Sequence, residues 1–186
     1  MALALFHKQC SKNVPGNMYL FLTEATNVYS VTVSGGEVTD IVMENVTTFK
    51  QIQADRVKRL MNGRRVKSSW TNYAHTIEFV CSKPSKELNE LSTALDDDQP
   101  CGVIAVVMDN NGQAWLVGWH ESDEDERPLY LESETADSGD VIGSSGGNHK
   151  YILSGTNDQI DLPLNDTLNQ YILDSIEAET DVGFTP

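Results

Sequence analysis

Gly102-Val-Ile-Ala-Val-Val-Met108, Asp109-Asn-Asn-Gly112 and Gln113-Ala-Trp-Leu-Val-Gly-Trp119 follow one another without a break, and their reading decides the fold class. The first run is apolar on both sides of any extended backbone. It is too short for a typical helix and rich in β-branched residues, so it predicts a central strand with both faces covered. Asn111 and Gly112 tolerate positive φ, which predicts a type I′ turn, and the third run returns antiparallel to the first.

Working outward, Tyr29, Val31 and Val33 alternate with Ser30 and Thr32, Gly35-Gly36 allows a tight reversal, and residues 38–42 run back as a second hairpin. Tyr73, Ile77, Phe79 and Cys81 share one face of an extended segment, with Asn72, Thr76 and Glu78 on the other. Leu129-Tyr-Leu131 and Tyr151-Ile-Leu153 predict short strands, separated by a loop rich in Gly, Ser and Asp that ends in Gly143-Ser-Ser-Gly-Gly147. One helix stands out over residues 85–95: Ser82 or Ser85 can cap it, and Leu88, Leu91 and Leu95 make one apolar stripe. Leu168, Ile172 and Ile176 repeat every four residues and suggest a second helix, but Tyr171 and Leu173 blur its stripe. The expected fold is therefore mainly β, an antiparallel sandwich or barrel of about six to ten strands with one flanking α-helix and a long basic loop over residues 44–70.

The chain of 186 residues suits a single domain, 1–186, able to bury a core without metal or disulfide staples. Cys10, Cys81 and Cys101 are widely separated and form no paired motif, which predicts reduced, buried thiols. No apolar run approaches the roughly 18 residues needed to cross a bilayer. Met1-Ala-Leu-Ala-Leu-Phe6 is too short for a signal-peptide core, so neither export by a standard signal nor a membrane partner is expected.

Charge divides the chain at about residue 87. Residues 1–86 hold eleven Lys and Arg against six Asp and Glu, whereas residues 87–186 hold two against twenty-two, within an overall net charge of −15. Such polarity favours head-to-tail contact between copies and tells against nucleic-acid binding by the acidic half. Lys50, Arg56, Lys58, Arg59, Arg64, Arg65 and Lys67 surround Asn62-Gly63, and mutual repulsion among them would be relieved by carboxylates of an adjacent copy. A nucleic-acid patch would ideally interleave aromatics, yet Phe49 and Trp70 lie only at the edges. His120-Glu-Ser-Asp-Glu-Asp-Glu126 offers carboxylates to a cation, but it lacks the EF-hand glycine and closing glutamate. Asp123, Glu124, Asp125 and Glu126 are therefore expected to form a solvated self-assembly or lumen loop without a metal. No nucleophile elbow, zinc-protease motif, P-loop or dinucleotide fingerprint is present, and neither catalysis nor a cofactor is expected.

Several stretches, taken in order, resemble the tail-tube-like structural proteins of tailed bacteriophages, including the divergent type found in phages of Bacteroidetes. They are Cys10-Ser-Lys-Asn-Val-Pro-Gly16, Leu22-Thr-Glu-Ala-Thr-Asn-Val28, Gly36-Glu-Val-Thr-Asp-Ile-Val-Met43, residues 103–119, and Arg127-Pro-Leu-Tyr-Leu131 with the Ser-Gly-rich loop beyond it. The resemblance implies a β-sandwich or barrel with one flanking helix, forming hexameric rings that stack into a hollow tube. Its implied partners are further copies of the chain and other tail or neck proteins, with DNA as passing cargo, in a virion tail assembled in the host cytoplasm. Two alternatives remain: a head-to-tail completion or tail-terminator ring, and a monomeric β-barrel that binds a ligand or cation through residues 120–126.

Overall fold

Val103–Met108 is a strand in which all six residues are buried, as a run with no polar alternation requires. In the computed structural model, which describes residues 19–44, 47–65, 71–82, 86–96, 101–109, 111–120, 128–139, 146–157 and 160–184, it is the seventh of eleven strands. The others are β1 (Tyr19–Glu24), β2 (Val28–Ser34), β3 (Glu37–Met43), β4 (Lys50–Ile52), β5 (Arg56–Arg65), β6 (Thr71–Ser82), β8 (Ala114–Val117), β9 (Tyr130–Gly139), β10 (Gly146–Asn157) and β11 (Leu162–Pro163). With β7 (Val103–Met108) they form three antiparallel sheets, ordered β11-β8-β7-β1-β4, β5-β6-β10-β9 and β2-β3.

The five-stranded sheet is the middle layer, with β7 at its centre. Its Leu20, Leu22, Ile52, Val103, Ala105, Val107 and Val117 pack on the inward residues of the four-stranded sheet: Val57, Ile77, Phe79, Cys81, Tyr151 and Leu153. Helix α1 (Lys86–Leu95) completes that core through Leu88, Leu91, Ala94 and Leu95. The opposite face presents Phe21, Ile104, Val106, Met108 and Leu116 to Val38, Ile41 and Met43 of the β2-β3 hairpin and to Leu168 and Ile172 of helix α2 (Asp166–Ala178). Two covered faces thus explain why β7 shows no alternation while β6, covered on one face, does. At about 25 cal/mol per Å² of apolar surface, each large side chain sealed here contributes roughly 1.5–3 kcal/mol.

The fold is mainly β and antiparallel, as expected, and no sheet closes into a barrel among the described residues. Four local expectations need correction. First, two helices flank the sheets, not one. Asn165 caps α2 by accepting from the Leu168 backbone N–H at 2.9 Å, Leu168 and Ile172 are buried, and Tyr171 is exposed, so the intruding aromatic faces water. Second, the stretch 44–70 is not a long loop. Lys50–Ile52 and Arg56–Arg65 are strands, and β5 runs in unbroken register with β6 from Arg56 opposite Val80 to Arg65 opposite Thr71. Its buried Val57 marks a half-buried strand, and Asn62-Gly63 continues that strand rather than turning it.

Third, the turn between β7 and β8 is not type I′. Gly112 alone has a positive φ (80°) there among the described residues, and its N–H donates to Asp109 O at 3.1 Å while Asp109 N–H donates to Gln113 O, the pattern of a turn closed by a glycine bulge. Fourth, most of the expected Gly-, Ser- and Asp-rich loop is strand: β9 continues to Gly139 and β10 starts at Gly146. Tyr29 also leaves the predicted apolar face, because the β2-β3 register skips it between Val28 and Ser30.

Candidate functional site

The four-stranded sheet carries the basic cluster, and strand parity separates its members. β5 reads Arg-Val-Lys-Arg-Leu-Met-Asn-Gly-Arg-Arg, so Arg56 and Lys58 share the outer face with Leu60, while Arg59 faces the same way as the buried Val57. Arg59 Nη1 donates to Asp161 Oδ2 at 3.0 Å, and Asp161 Oδ1 stands 2.6 Å from His75 Nδ1, with both Asp161 and His75 buried. The Arg59 guanidinium also lies 4.3 Å from the Trp115 ring centroid. Trp115 in turn donates its indole N–H to Asp109 Oδ2 at 3.1 Å. Burial pushes the Asp109 carboxyl up, but hydrogen bonds from the Gln113 N–H, Trp115 and the Asn111 N–H, with the Arg59 charge, hold it below its ordinary value.

Lys50, in β4, bonds Asp181 at 2.7 Å. Arg56 and Lys150 both reach Glu78 Oε1, at 3.4 and 3.3 Å, with Lys58 directly opposite Glu78 across the strands. Burial raises the Glu78 carboxyl, and the hydrogen bonds and charges of Lys150, Arg56 and Lys58 more than reverse that. The structure therefore splits the expected assembly cations: Lys50 and Arg59 are engaged by carboxylates at part-buried positions, and Arg56, paired with Glu78, lies with Lys58 on an exposed face. Arg64 and Arg65 end β5, their side chains lying outside the described part. Lys67 and the acidic residues Asp123, Glu124, Asp125 and Glu126 lie outside the described residues altogether.

Sequence reasoning missed a second acidic feature. β9 reads Tyr-Leu-Glu-Ser-Glu-Thr-Ala-Asp-Ser-Gly, with Glu132, Glu134 and Asp137 and no base, whereas β5 has five bases and no acid. Both strands are ten residues long and occupy opposite borders of one sheet, each pairing with a single neighbour among the described residues. The signal available was that residues 129–138 contain neither Pro nor Gly, so nothing forced a loop there. Three interstrand spacings put the basic and acidic borders about 14 Å apart.

A further polar cluster ties α1 to this sheet. Ser92 Oγ stands 2.7 Å from Glu134 Oε1 and 2.9 Å from the Tyr151 hydroxyl, which donates to Leu88 O at 3.1 Å. Burial pushes the Tyr151 phenol far up. Buried His149 brings Nε2 to 2.6 Å from the same Glu134 oxygen, outside hydrogen-bond geometry, so the carboxylate stands between histidine and serine. The geometry fits a structural tie between helix and sheet rather than a base activating a nucleophile, which needs the histidine on the hydroxyl. Cys81 is buried and Cys101, against expectation, only half-buried, both as thiols rather than disulfides, and Cys10 lies outside the described residues. No group of three His, Cys, Asp or Glu side chains among the described residues is placed to hold a metal, and no described helix is long and apolar enough to cross a membrane.

The sequence matches no protein-family model and no curated protein.

Proposed function

We propose that the chain is a virion structural protein that joins copies of itself head to tail into rings, and that the rings stack into a tail tube carrying DNA. The observation that carries this reading is the pair of long, oppositely charged borders of the four-stranded sheet, each with one strand neighbour among the described residues. An unpaired strand is a template for another strand, and its main-chain groups supply most of the attraction in such pairing. Charge selects the partner: two copies of β5 repel, two copies of β9 repel, and β5 against β9 attracts. A contact between unlike patches propagates and closes into a ring when its rotation allows, unlike the self-complementary contact of a two-fold dimer. The mainly β fold and the sequence resemblance support the same reading, with other tail or neck proteins as further partners.

The test combines electron microscopy with sedimentation of the purified protein. Stacked tubes are expected, single rings would favour the terminator reading, and monomers at low salt and high concentration would refute ring assembly. Because single exposed ion pairs contribute only about 0–1 kcal/mol, the informative variant is Arg64→Glu with Arg65→Glu, which reverses two charges of β5. It should shift the low-salt population toward monomer while leaving the circular dichroism spectrum unchanged. Unchanged assembly would remove β5 from the interface.

A further inference from the structure

Three antiparallel pairings, β5 with β6, β6 with β10 and β10 with β9, make the two border strands of the four-stranded sheet run in opposite directions. A second copy that continues this sheet therefore lays its β9 antiparallel to β5. In β9 the pairing with β10 passes from Leu131 opposite Leu153 to Ser133 opposite Ile152, which leaves Glu132 as the extra residue of a bulge. Beyond the bulge Ser133, Thr135 and Asp137 share the outer face with Ile152, Lys150 and Asn148, while Glu134 and Ala136 share the inner face with Tyr151 and His149. Ser133, Thr135, Ala136 and Asp137 are exposed. On β5 the outer face carries Arg56, Lys58 and Leu60, and the inner face carries Val57 and Arg59.

Keeping outer face beside outer face leaves registers two residues apart, and charge separates them. With Asp137 opposite Arg56, Glu134 falls opposite Arg59, Ala136 opposite Val57, Thr135 opposite Lys58 and Ser133 opposite Leu60. A slip of two residues one way sets Asp137 opposite Lys58 but Glu134 opposite Met61, and a slip the other way sets Glu134 opposite Val57. No other same-face register of these two strands gives both acids a base. The inner pair is engaged within the subunit yet keeps surface for a partner, the side chain of Arg59 being 20% exposed and that of Glu134 29%. We propose that one copy docks its β9 on β5 of the next in this single register, Asp137 against Arg56 on the outer face and Glu134 against Arg59 on the inner face. The inference rests on the self-joining reading for the identity of the partner, and it adds which residues meet. Main-chain hydrogen bonds attract in every register, so the opposite-charge pairs across the strands choose among them. Within one subunit Arg56 shares its row with Val80, Lys150 and Thr135, so a neighbour's Asp137 beside Arg56 sets each copy two residues along the strands from the last. A stagger of this kind is what a sheet requires to close on itself.

The test is disulfide trapping at exposed positions that leave these four charges in place. Leu60→Cys with Ser133→Cys joins positions directly opposite in this register, about 4.5–5.5 Å apart between Cα atoms, within the span a disulfide bridges. Leu60→Cys with Thr135→Cys joins positions that are opposite only after a two-residue slip, and Lys58→Cys with Ser133→Cys reports the slip in the other direction. Within one subunit the two borders lie about 14 Å apart, too far for a bridge, so a disulfide between the introduced cysteines joins two copies. After diamide treatment, non-reducing gels should show a ladder of covalent multimers for the first pair, reversed by dithiothreitol. The other two pairs should give no more multimer than wild type, whose native cysteines set the background. Sedimentation at low salt runs alongside, and circular dichroism checks the fold. Assemblies that yield no ladder from the first pair, or an equal ladder from a slipped pair, overturn the register and leave the self-joining reading standing. Wild-type monomers at low salt and high concentration sink both.

Discussion

Asp161→Ala tests whether the buried ion cluster holds the basic border strand in place. Asp161 is 5% exposed, and each carboxylate oxygen takes one partner, Arg59 at 3.0 Å and His75 at 2.6 Å. Removing one member of a buried pair costs about 3–5 kcal/mol, because the other charge keeps its desolvation without its partner. Here the Arg59 side chain is 20% exposed and stacks on Trp115, which offsets part of the loss and brings the expected cost to about 2–4 kcal/mol. For a chain of this length each kcal/mol moves Tm by about 2–4 °C, so urea and thermal denaturation should show a drop of roughly 10 °C. Asp161→Asn preserves the shape and a hydrogen-bond acceptor and should lose about half as much. If Asp161→Ala melts within about 1 °C of wild type, Asp161 does not anchor β5, and the account of Arg59 as an internally engaged cation fails.

Two further outcomes follow from burial and charge. Leu91, fully buried where α1 closes the core between the sheets, should not tolerate a charge, and Leu91→Asp should abolish soluble expression through a cost of several kcal/mol; a soluble, cooperatively melting variant would contradict that burial. Asp109 has a folded pKa lowered from 3.8, so its contribution to stability is complete above that value and is lost as pH falls through the folded pKa. Denaturation curves in acid should therefore show a smaller pH-dependent loss for Asp109→Asn than for wild type, and identical acid profiles would refute the assignment.

The sequence disclosed most clearly what periodicity controls. Residues 103–108 predicted a doubly covered strand because every position is apolar, and the alternation of Ile77, Phe79 and Cys81 predicted a half-buried one. The stripe of Leu88, Leu91 and Leu95 predicted α1 for the same reason. β5 and β9 were hidden because border strands carry charge where interior strands carry aliphatic side chains, and Asn62-Gly63 imitated a turn. Within the candidate site, the separation of Arg59 from Arg56 and Lys58 depends on partners far away in the chain. Asp161 lies 102 residues from Arg59, and Asp181 lies 131 residues from Lys50, distances no local pattern encodes.

The two larger sheets end differently at their borders. Beside β4, Phe49 and Val182 exchange backbone hydrogen bonds of 2.8 and 3.0 Å, and Phe184 meets the Phe49 ring edge-on at 5.6 Å. At the other border, β11 is two residues long and includes Pro163, which has no N–H to offer. The middle sheet is thus blunted on both sides, whereas the outer sheet ends, among the described residues, in two strands of ten residues each. If copies join along those two strands, the seam runs through one layer of the subunit, and the blunted sheet behind it stands outside the joint.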